Sequence, residues 1–398
     1  MALINKLTEI ADAIREKTNT TNLLTLDEMP DAIISITGGG SGEGSGVNGY
    51  IPTDEELTIS GIFQYKFAYG TFDWVINNYG DRIITKDLSN LMYGFQNCLN
   101  LTNIPFPLNC KATSASSYSS IFSGCKMLTN VPKMNNCNVN AIDSIFRDCN
   151  HLREIPEDID ENWDWSVIDS YTSAYAGNRS STFMNCYSLR KFPMGFLNHG
   201  NPVVSYTYSI YNGLFNSCYA LDEVVDLPLP HLNAEFTTNT FVNTFVYCHR
   251  LKEMTFATQE DGTPYSVKWK TQTIDLSKDV GYSLSENLII SYNSGITTDK
   301  EVKNQEDYER LKNDPDWYSR RSTGNLSSAP YSRYNHDSAV NTINSLPDAS
   351  AYLASSPGTN TIKFKGDSGS LTDGGSINDL TEEEIAVAAA KGWTVTLV

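Results

Sequence analysis

The chain has 398 residues, of which 40% are hydrophobic, and its 29 basic and 47 acidic residues give a formal net charge of −18. This apolar content is enough to bury a large core. The negative charge repels nucleic acid and anionic lipid at long range, and no run of about 18 apolar residues is present to span a bilayer. We therefore expect neither a nucleic-acid partner nor membrane insertion.

The first predicted element is a small α-helical hairpin over residues 1–37. Apolar residues recur there at three- and four-residue spacing, and Thr25 and Glu28 have the spacing of a capping box that begins a second helix. Two helices of this length bury too little surface to be stable alone. They need a partner, self-association or, as the alternative, a place folded back on the rest of the chain. The candidate docking residues are Ile4, Leu7, Ala11, Ile14, Leu26 and Ile33.

A Gly/Ser-rich linker follows over residues 38–49, and its stretch from Gly38 to Gly46 has almost no side chains that could pack. Such a segment behaves as a flexible tether and decouples what lies on either side of it. The hairpin is therefore predicted to be an attachment or oligomerisation module.

One pattern then occurs six times over residues 50–275: a phenylalanine, a cysteine three residues on, a leucine three further, and an apolar residue three beyond that. A unit this short cannot close a core alone, so its apolar positions must pack against neighbouring copies. The pattern predicts an α/β repeat fold, a leucine-rich-repeat-like solenoid, with function in the loops. The six copies begin at Phe95, Phe122, Phe146, Phe183, Phe215 and Phe245.

Within each copy, we expect a short helical turn that points the phenylalanine inward, then a polar turn, then a brief parallel strand at the Leu-x-x-Ile/Val segment. Proline follows that segment in the first four copies. Because proline cannot donate to a sheet ladder, it is predicted to end the strand. These prolines are Pro105, Pro132, Pro156 and Pro193.

Eight cysteines suggest disulfides or zinc, but six of them occupy the same repeat position, and no CxxC pair is present. The five histidines keep no ligand spacing with them. A small, readily buried side chain repeated once per copy is better explained as an internal packing ladder. Cys110 and Cys137 lie outside the ladder, and the sequence leaves open whether either of them forms a disulfide.

Aromatic residues cluster in the segments between and after the repeats. Aromatic side chains with polar tips are favoured in recognition surfaces, although each could instead cover the sides of the repeat stack. We expect Trp163 to be an exposed contact whose loss alters binding and leaves stability nearly unchanged. Calcium is a weaker alternative for the neighbouring acidic stretch, which lacks the glycine and closing glutamate of an EF-hand loop. The candidate receptor or glycan contacts are Trp163, Trp165, Tyr171, Tyr175, Trp317 and Tyr318.

The rest of the chain divides into an irregular polar insertion over residues 276–336 and a C-terminal repeat or cap over residues 337–398. No nucleophile elbow, P-loop, zinc-protease or dinucleotide motif occurs. We therefore expect a protein that is not an enzyme and that uses no metal or other cofactor.

The repeat resembles the BspA-type leucine-rich repeats, and two further regions resemble segments of phage proteins. The N-terminal hairpin is similar to the opening of tail-fibre and baseplate-associated proteins from phages of Gram-positive gut bacteria. Thr361–Gly366 and Lys391–Val395 resemble closing segments of BspA-type proteins from phages and prophages of gut bacteria.

The resemblance implies a virion structural protein, most simply a tail-fibre or baseplate-associated receptor-binding protein. Residues 1–37 would bind other virion proteins, as a homo-oligomer, and the repeats would present a surface to a host glycan or protein. No secretory signal is visible at the start of the sequence. This favours assembly in the host cytoplasm and exposure on the particle. The alternatives are a head fibre or capsid decoration protein and, more distantly, a bacterial surface adhesin.

Overall fold

The computed structural model contains two compact units, Met1–Leu57 and Thr58–Val398. It describes residues 54–55, 57–62, 67–70, 73–110, 119–135, 137–138, 142–159, 161, 163–164, 179–199, 211–229, 232–278, 280, 289–290, 300–301, 334–366 and 375–398. The predicted helical hairpin and the whole of the predicted linker lie outside these residues. The following description concerns the second unit.

Short strands are spread along this unit, and turns make up much of the described chain outside them. The strands are β1 (Thr58–Ile62), β2 (Ile84–Ser89), β3 (Leu108–Asn109), β4 (Met134–Asn135), β5 (Cys137–Asn138), β6 (Trp163–Asp164), β7 (Glu223–Leu227), β8 (Glu235–Phe236), β9 (Glu253–Phe256), β10 (Lys268–Trp269), β11 (Thr273–Leu276), β12 (Ile289–Ile290), β13 (Lys300–Glu301), β14 (Asn360–Phe364) and β15 (Trp393–Leu397). The helices are α1 (Asp73–Tyr79), α2 (His336–Ser345), α3 (Ser350–Ser355) and α4 (Glu382–Ala390), with short 3₁₀ turns at Ala68–Gly70, Gly80–Arg82, Met194–Leu197 and Ile377–Asp379.

Strand pairs β1–β2, β3–β4, β5–β6, β7–β9 and β8–β10 are parallel, as is the three-stranded sheet β11–β14–β15, whereas β12–β13 is antiparallel. Parallel pairs between segments that follow one another in the chain require a crossover each time. Among the described residues, no helix is both long and apolar enough to cross a membrane.

The six repeat phenylalanines form one continuous column in the core. Each is at most 1% exposed, so their predicted burial is confirmed. Successive rings are stacked, with centroid separations of 5.6 Å (Phe95–Phe122), 5.7 Å (Phe122–Phe146), 6.0 Å (Phe146–Phe183), 5.7 Å (Phe183–Phe215) and 5.9 Å (Phe215–Phe245). Phe67, which has no cysteine three residues on, extends the column at 5.4 Å from Phe95.

The backbone around each phenylalanine is a series of turns, and the prediction of a helical turn was wrong. The residues two before and two after each phenylalanine have positive φ, as at Ser144 (54°) and Asp148 (62°) around Phe146. Left-handed φ is costly for most residues and easiest for glycine and for Asn or Asp. This explains why polar residues and glycine dominate these positions: Tyr93, Asn97, Ser120, Gly124, Ser144, Asp148, Ser181, Asn185, Gly213, Ser217, Asn243 and Tyr247.

The recurrence of positive φ on either side of each phenylalanine directs every second N–H group toward the next copy. Around Phe146, the N–H groups of Ser144, Phe146 and Asp148 donate to the carbonyl groups of the next copy at 3.0, 3.1 and 2.8 Å. Buried backbone donors must find acceptors, and here the neighbouring copy supplies them. Each copy is therefore bonded to the next through both its backbone and its core side chains.

The expected strand at the Leu-x-x-Ile/Val segment forms only in the two copies that lack proline. There, Glu223–Leu227 pairs with Glu253–Phe256. In the four copies with proline, the segment has at most the isolated bridge between Glu154 and Lys191, and β3 and β4 begin after the prolines. Proline lacks the N–H that a ladder needs, so it excludes this strand rather than ending it.

The cysteines at the repeat position are buried and free. Burial raises the pKa of the thiols of Cys125, Cys149, Cys186, Cys218 and Cys248. Cys110 is also buried, and the side chain of Cys137 lies outside the described residues, so a disulfide at these two positions remains an open alternative.

The C-terminal residues belong to the same unit as the repeats. Strand β14 pairs with β11 in parallel, across the segment predicted to be an irregular insertion, and β15 pairs with β14. The described residues of that insertion include the antiparallel pair β12–β13. Trp269 lies in a second aromatic cluster close to Trp393, with ring centroids 6.4 Å apart.

Candidate functional site

A groove with a volume of about 380 Å³ lies where helix α2 meets strands β7 and β9. The groove is shallow and mostly open to solvent. Five polar side chains and one aliphatic side chain form most of its lining. They are Val225, Asp226, Glu253, Thr255, Asn341 and Asn344.

Hydroxyl groups on one face of α2 attach this helix to the edge of β9. Ser338 Oγ donates to the carbonyl of Lys252 at 2.5 Å, and Thr342 Oγ1 donates to the carbonyl of Met254 at 2.5 Å. Ser345 Oγ accepts from the N–H of Phe256 at 3.0 Å. Spacings of four and three residues place the three hydroxyls on one helical face, so α2 satisfies backbone groups along the edge of β9.

Tyr334 lies beneath this joint and is 2% exposed. Its hydroxyl donates to the carbonyl of Met254 at 3.4 Å and also contacts Thr342 Oγ1. Burial raises the pKa of Tyr334 well above its ordinary value. The phenol therefore stays neutral and serves as an internal hydrogen-bonding group below the groove.

Two hydrogen bonds order part of the groove. Asn341 Nδ2 donates to Glu253 Oε1 at 3.0 Å, which joins the helix side of the groove to the strand side. Asp226 has a positive φ of 57° at the irregularity in the β7–β9 pairing, and its N–H donates to Thr255 Oγ1 at 3.0 Å. Carboxylates accept hydrogen bonds, whereas amides both donate and accept, so the groove offers both functions.

Two basic residues close to the groove are paired with carboxylates, and a third, Lys391, donates from Nζ to the carbonyls of Ile343 and Asn344 at 2.9 and 2.5 Å. Lys252 Nζ lies 2.6 Å from Glu223 Oε1, and Arg250 Nε lies 2.7 Å from Asp222 Oδ1. None of the residues lining the groove is basic. The groove therefore has a negative local charge from its two carboxylates.

A turn inserted after β9 forms one rim. Thr258 and Pro264 are bridged in antiparallel fashion, and the N–H of Gln259 donates to the carbonyl of Thr263 at 2.8 Å. Gly262 contributes to the groove with φ of 80° and open space where a Cβ would lie. The groove is thus formed by an inserted turn and two strand copies, together with a helix from beyond the repeats.

No family model, curated protein or solved structure matches the chain.

Trp163, the first of the predicted receptor contacts, is buried at 7% exposure. Its ring meets Phe196 edge to face at a centroid distance of 5.3 Å. The expectation of an exposed contact was wrong because this indole packs against an aromatic side chain of the core. The other predicted contacts lie outside the described residues: Trp165, Tyr171, Tyr175, Trp317 and Tyr318. The same holds for the predicted docking residues Ile4, Leu7, Ala11, Ile14, Leu26 and Ile33.

The acidic stretch before Trp163 is the region for which calcium was the weaker alternative. Asp158 instead forms an exposed salt bridge at 2.9 Å with Lys133, which lowers the pKa of the carboxyl. In the described part of the chain, no group of three or more His, Cys, Asp or Glu side chains is placed to hold a metal ion.

Sequence reasoning missed the groove because its two sides come from distant segments. Asn341 and Glu253 are 88 residues apart in the chain, and neither belongs to a recognisable motif. The hydroxyl stripe of Ser338, Thr342 and Ser345 was a readable signal. It indicates a helix that packs through polar groups, although not the strand on which it packs.

Proposed function

We propose that this protein is a non-enzymatic adhesion protein of a phage virion, associated with the tail fibre or baseplate. Residues 1–37 attach it to other virion proteins as a homo-oligomer. The repeats form a leucine-rich-repeat-like solenoid that presents a binding surface to a glycan or protein of the host cell. The protein is assembled in the host cytoplasm and exposed on the particle.

The polar groove at α2 carries this proposal. The repeated phenylalanine and cysteine positions are fully used in packing and leave no reactive group at the surface, so recognition falls to features added to the repeats. The groove is such a feature, since an inserted turn and a helix beyond the repeats build it. The resemblance of the repeat and of the N-terminal segment to phage proteins supports the virion context.

Competition for adsorption tests the adhesive role. Excess purified chain should block adsorption of the particle that carries it, because both compete for one receptor. The variant Glu253→Gln/Asn341→Ala should block much less, whereas Glu157→Gln, a matched change at an exposed position, should block as well as the native chain. Unchanged adsorption at saturating native chain would contradict the proposal.

Gold-labelled antibody on intact particles tests the place of attachment. Label at the tail tip or baseplate is the expected result in electron micrographs. Label on the capsid would contradict the tail assignment and support a head fibre or decoration protein.

A further inference from the structure

We infer that the groove at α2 binds a saccharide without acidic groups. This inference rests on the proposed adhesive function and identifies the chemical class of its receptor. It is carried by the kinds of polar group in the groove, by their charge and by their fixed positions.

The hydrogen-bonding groups match those of a sugar. Each sugar hydroxyl both donates and accepts, and the groove offers acceptors in Asp226 and Glu253 and mixed groups in Asn341 and Asn344. Val225, at 37% exposure, adds a small apolar surface on which the C–H face of a sugar ring can lie. An apolar ligand would leave these polar groups without partners when it displaced their water.

Charge decides between classes of saccharide. The groove is lined by two carboxylates and no basic residue. The nearby Lys252 and Arg250 already pair with Glu223 and Asp222, and Lys391 Nζ donates to the backbone carbonyls of Ile343 and Asn344. An acidic sugar would meet like charge in the groove and a net charge of −18 on the whole chain. Neutral and amine-bearing sugars avoid this repulsion.

Part of the groove is also ordered by hydrogen bonds of its own. The bond of Asn341 to Glu253 joins its two sides, and the bond between Asp226 N–H and Thr255 holds the strand irregularity. Groups that are already ordered cost less entropy on binding. A small oligosaccharide can therefore bind without rearrangement of the strands.

Calorimetric titration of the full chain with three defined trisaccharides tests the class. The probes are the trimers of N-acetylglucosamine (neutral), glucosamine (amine-bearing) and galacturonic acid (acidic). We expect the neutral or the amine-bearing trimer to bind, and the acidic trimer to bind weaker by roughly tenfold or more. Glu253→Gln/Asn341→Ala should abolish the binding, and Glu157→Gln should not change it.

A gain-of-binding variant guards against loss of folding. Asn344 is exposed on α2, and Asn344→Lys places a cation in the groove. It should strengthen binding of the acidic trimer and weaken that of the amine-bearing one. Binding of the acidic trimer to the native chain as tight as that of the other two, or no binding of either non-acidic trimer, would overturn the inference.

Binding of the labelled chain to host cells separates this inference from the adhesive function. Periodate treatment of the cells should abolish binding, and protease treatment should not. If protease abolishes binding and periodate does not, the receptor is a protein, and the saccharide inference fails while adhesion stands. If the chain binds no host cell, the adhesive function itself fails.

Discussion

At the scale of single residues, the repeated cysteine combines small volume with a weak donor. Each thiol donates to the carbonyl of the phenylalanine in the preceding copy, as Cys149 does to Phe122 at 3.1 Å and Cys248 to Phe215 at 3.1 Å. Cys98 makes the same bond to Phe67 at 2.9 Å. The carbonyl of Phe122 also accepts from the N–H of Cys125 at 3.0 Å, so the thiol adds a second, weak hydrogen bond to an acceptor that the backbone already satisfies. Alanine would lack both this bond and the volume of the sulfur, which explains the preference for cysteine.

The ladder cysteines should therefore resist modification. Burial raises the pKa of most of these thiols, and the thiolate is the reactive form. Iodoacetamide should leave all six ladder cysteines unlabelled in the native protein and label them in concentrated urea, as measured by peptide mass spectrometry. Rapid labelling of Cys149 in the native state would contradict the buried ladder.

Gly124 and Gly262 form a matched pair for the left-handed positions. Both have φ near 80°, but a Cβ at Gly124 would lie 2.2 Å from Asn97 Oδ1, whereas nothing lies within 4 Å at Gly262. Gly262→Ala should cost about 1–2 kcal/mol of unfolding free energy because of its backbone conformation. Gly124→Ala should cost about 1 kcal/mol more because of the contact. Equal losses in urea denaturation would show that Asn97 moves aside freely.

Trp163→Ala should destabilise the protein, contrary to the expectation from sequence. Removal of a buried large aromatic side chain costs roughly 3–5 kcal/mol, and Trp163 packs against Phe196. Met127→Ala, at a residue 38% exposed, is the control and should stay within about 0.5 kcal/mol of the native protein. A loss below about 1 kcal/mol for Trp163→Ala in urea denaturation would support a surface role for this residue instead.

At the scale of elements, His336 links helix α2 to helix α4. Its Nε2 lies 3.1 Å from Glu384 Oε2, and its Nδ1 lies 3.3 Å from Asp337 Oδ1. Partial burial acts to lower the pKa of His336, but the bonds to Asp337 and Glu384 outweigh it and raise the pKa above 6.5. Glu384 also closes the capping box at Thr381, and its hydrogen bond from the Thr381 N–H contributes most to lowering its pKa below 4.5.

These pKa shifts make the stability of the contact between helices α2 and α4 depend on pH. A histidine whose pKa is raised on folding stabilises the folded state below its unfolded pKa, and that contribution is lost as pH rises through the folded pKa. Glu384 stays ionised above pH 4.5, so the link is strongest between pH 4.5 and 6.5. The loss of melting temperature caused by His336→Asn should be larger at about pH 5.5 than at about pH 8.5. An equal loss at both pH values would contradict the charged link.

At the scale of the whole molecule, the C-terminal residues complete the unit that the repeats begin. Strand β14 lies between β11 and β15, and α2 covers the edge of β9. Exposed strand edges invite association with other chains. The helix therefore protects an edge that the end of the repeats would otherwise leave uncovered.

A polypeptide that begins at Thr58 should fold as the full chain does. Thr58–Val398 is one compact unit, and its core contains the complete phenylalanine column. We expect the near-ultraviolet circular dichroism and the thermal midpoint of this polypeptide to equal those of the full chain. A clearly lower midpoint would show that residues 1–57 stabilise the second unit.

The sequence by itself determined which repeat positions are buried, because the spacing of phenylalanine, cysteine and leucine repeats with one register and apolar side chains leave water wherever the chain allows it. It also placed the polar turns, since Asn97 and Gly124 are residue types that accept left-handed backbone. It could not show that proline would exclude the strand from four copies, because that depends on which N–H groups a neighbouring copy needs.

Only the tertiary structure decided the candidate site and the position of Trp163. A tryptophan in an acidic loop has the same local pattern whether it faces water or packs against Phe196. The groove depends on a hydrogen bond between Asn341 and Glu253, which are 88 residues apart. Local patterns report on neighbours in the chain, whereas this site arises from contact between distant segments, and such contact is set by the packing of the whole unit.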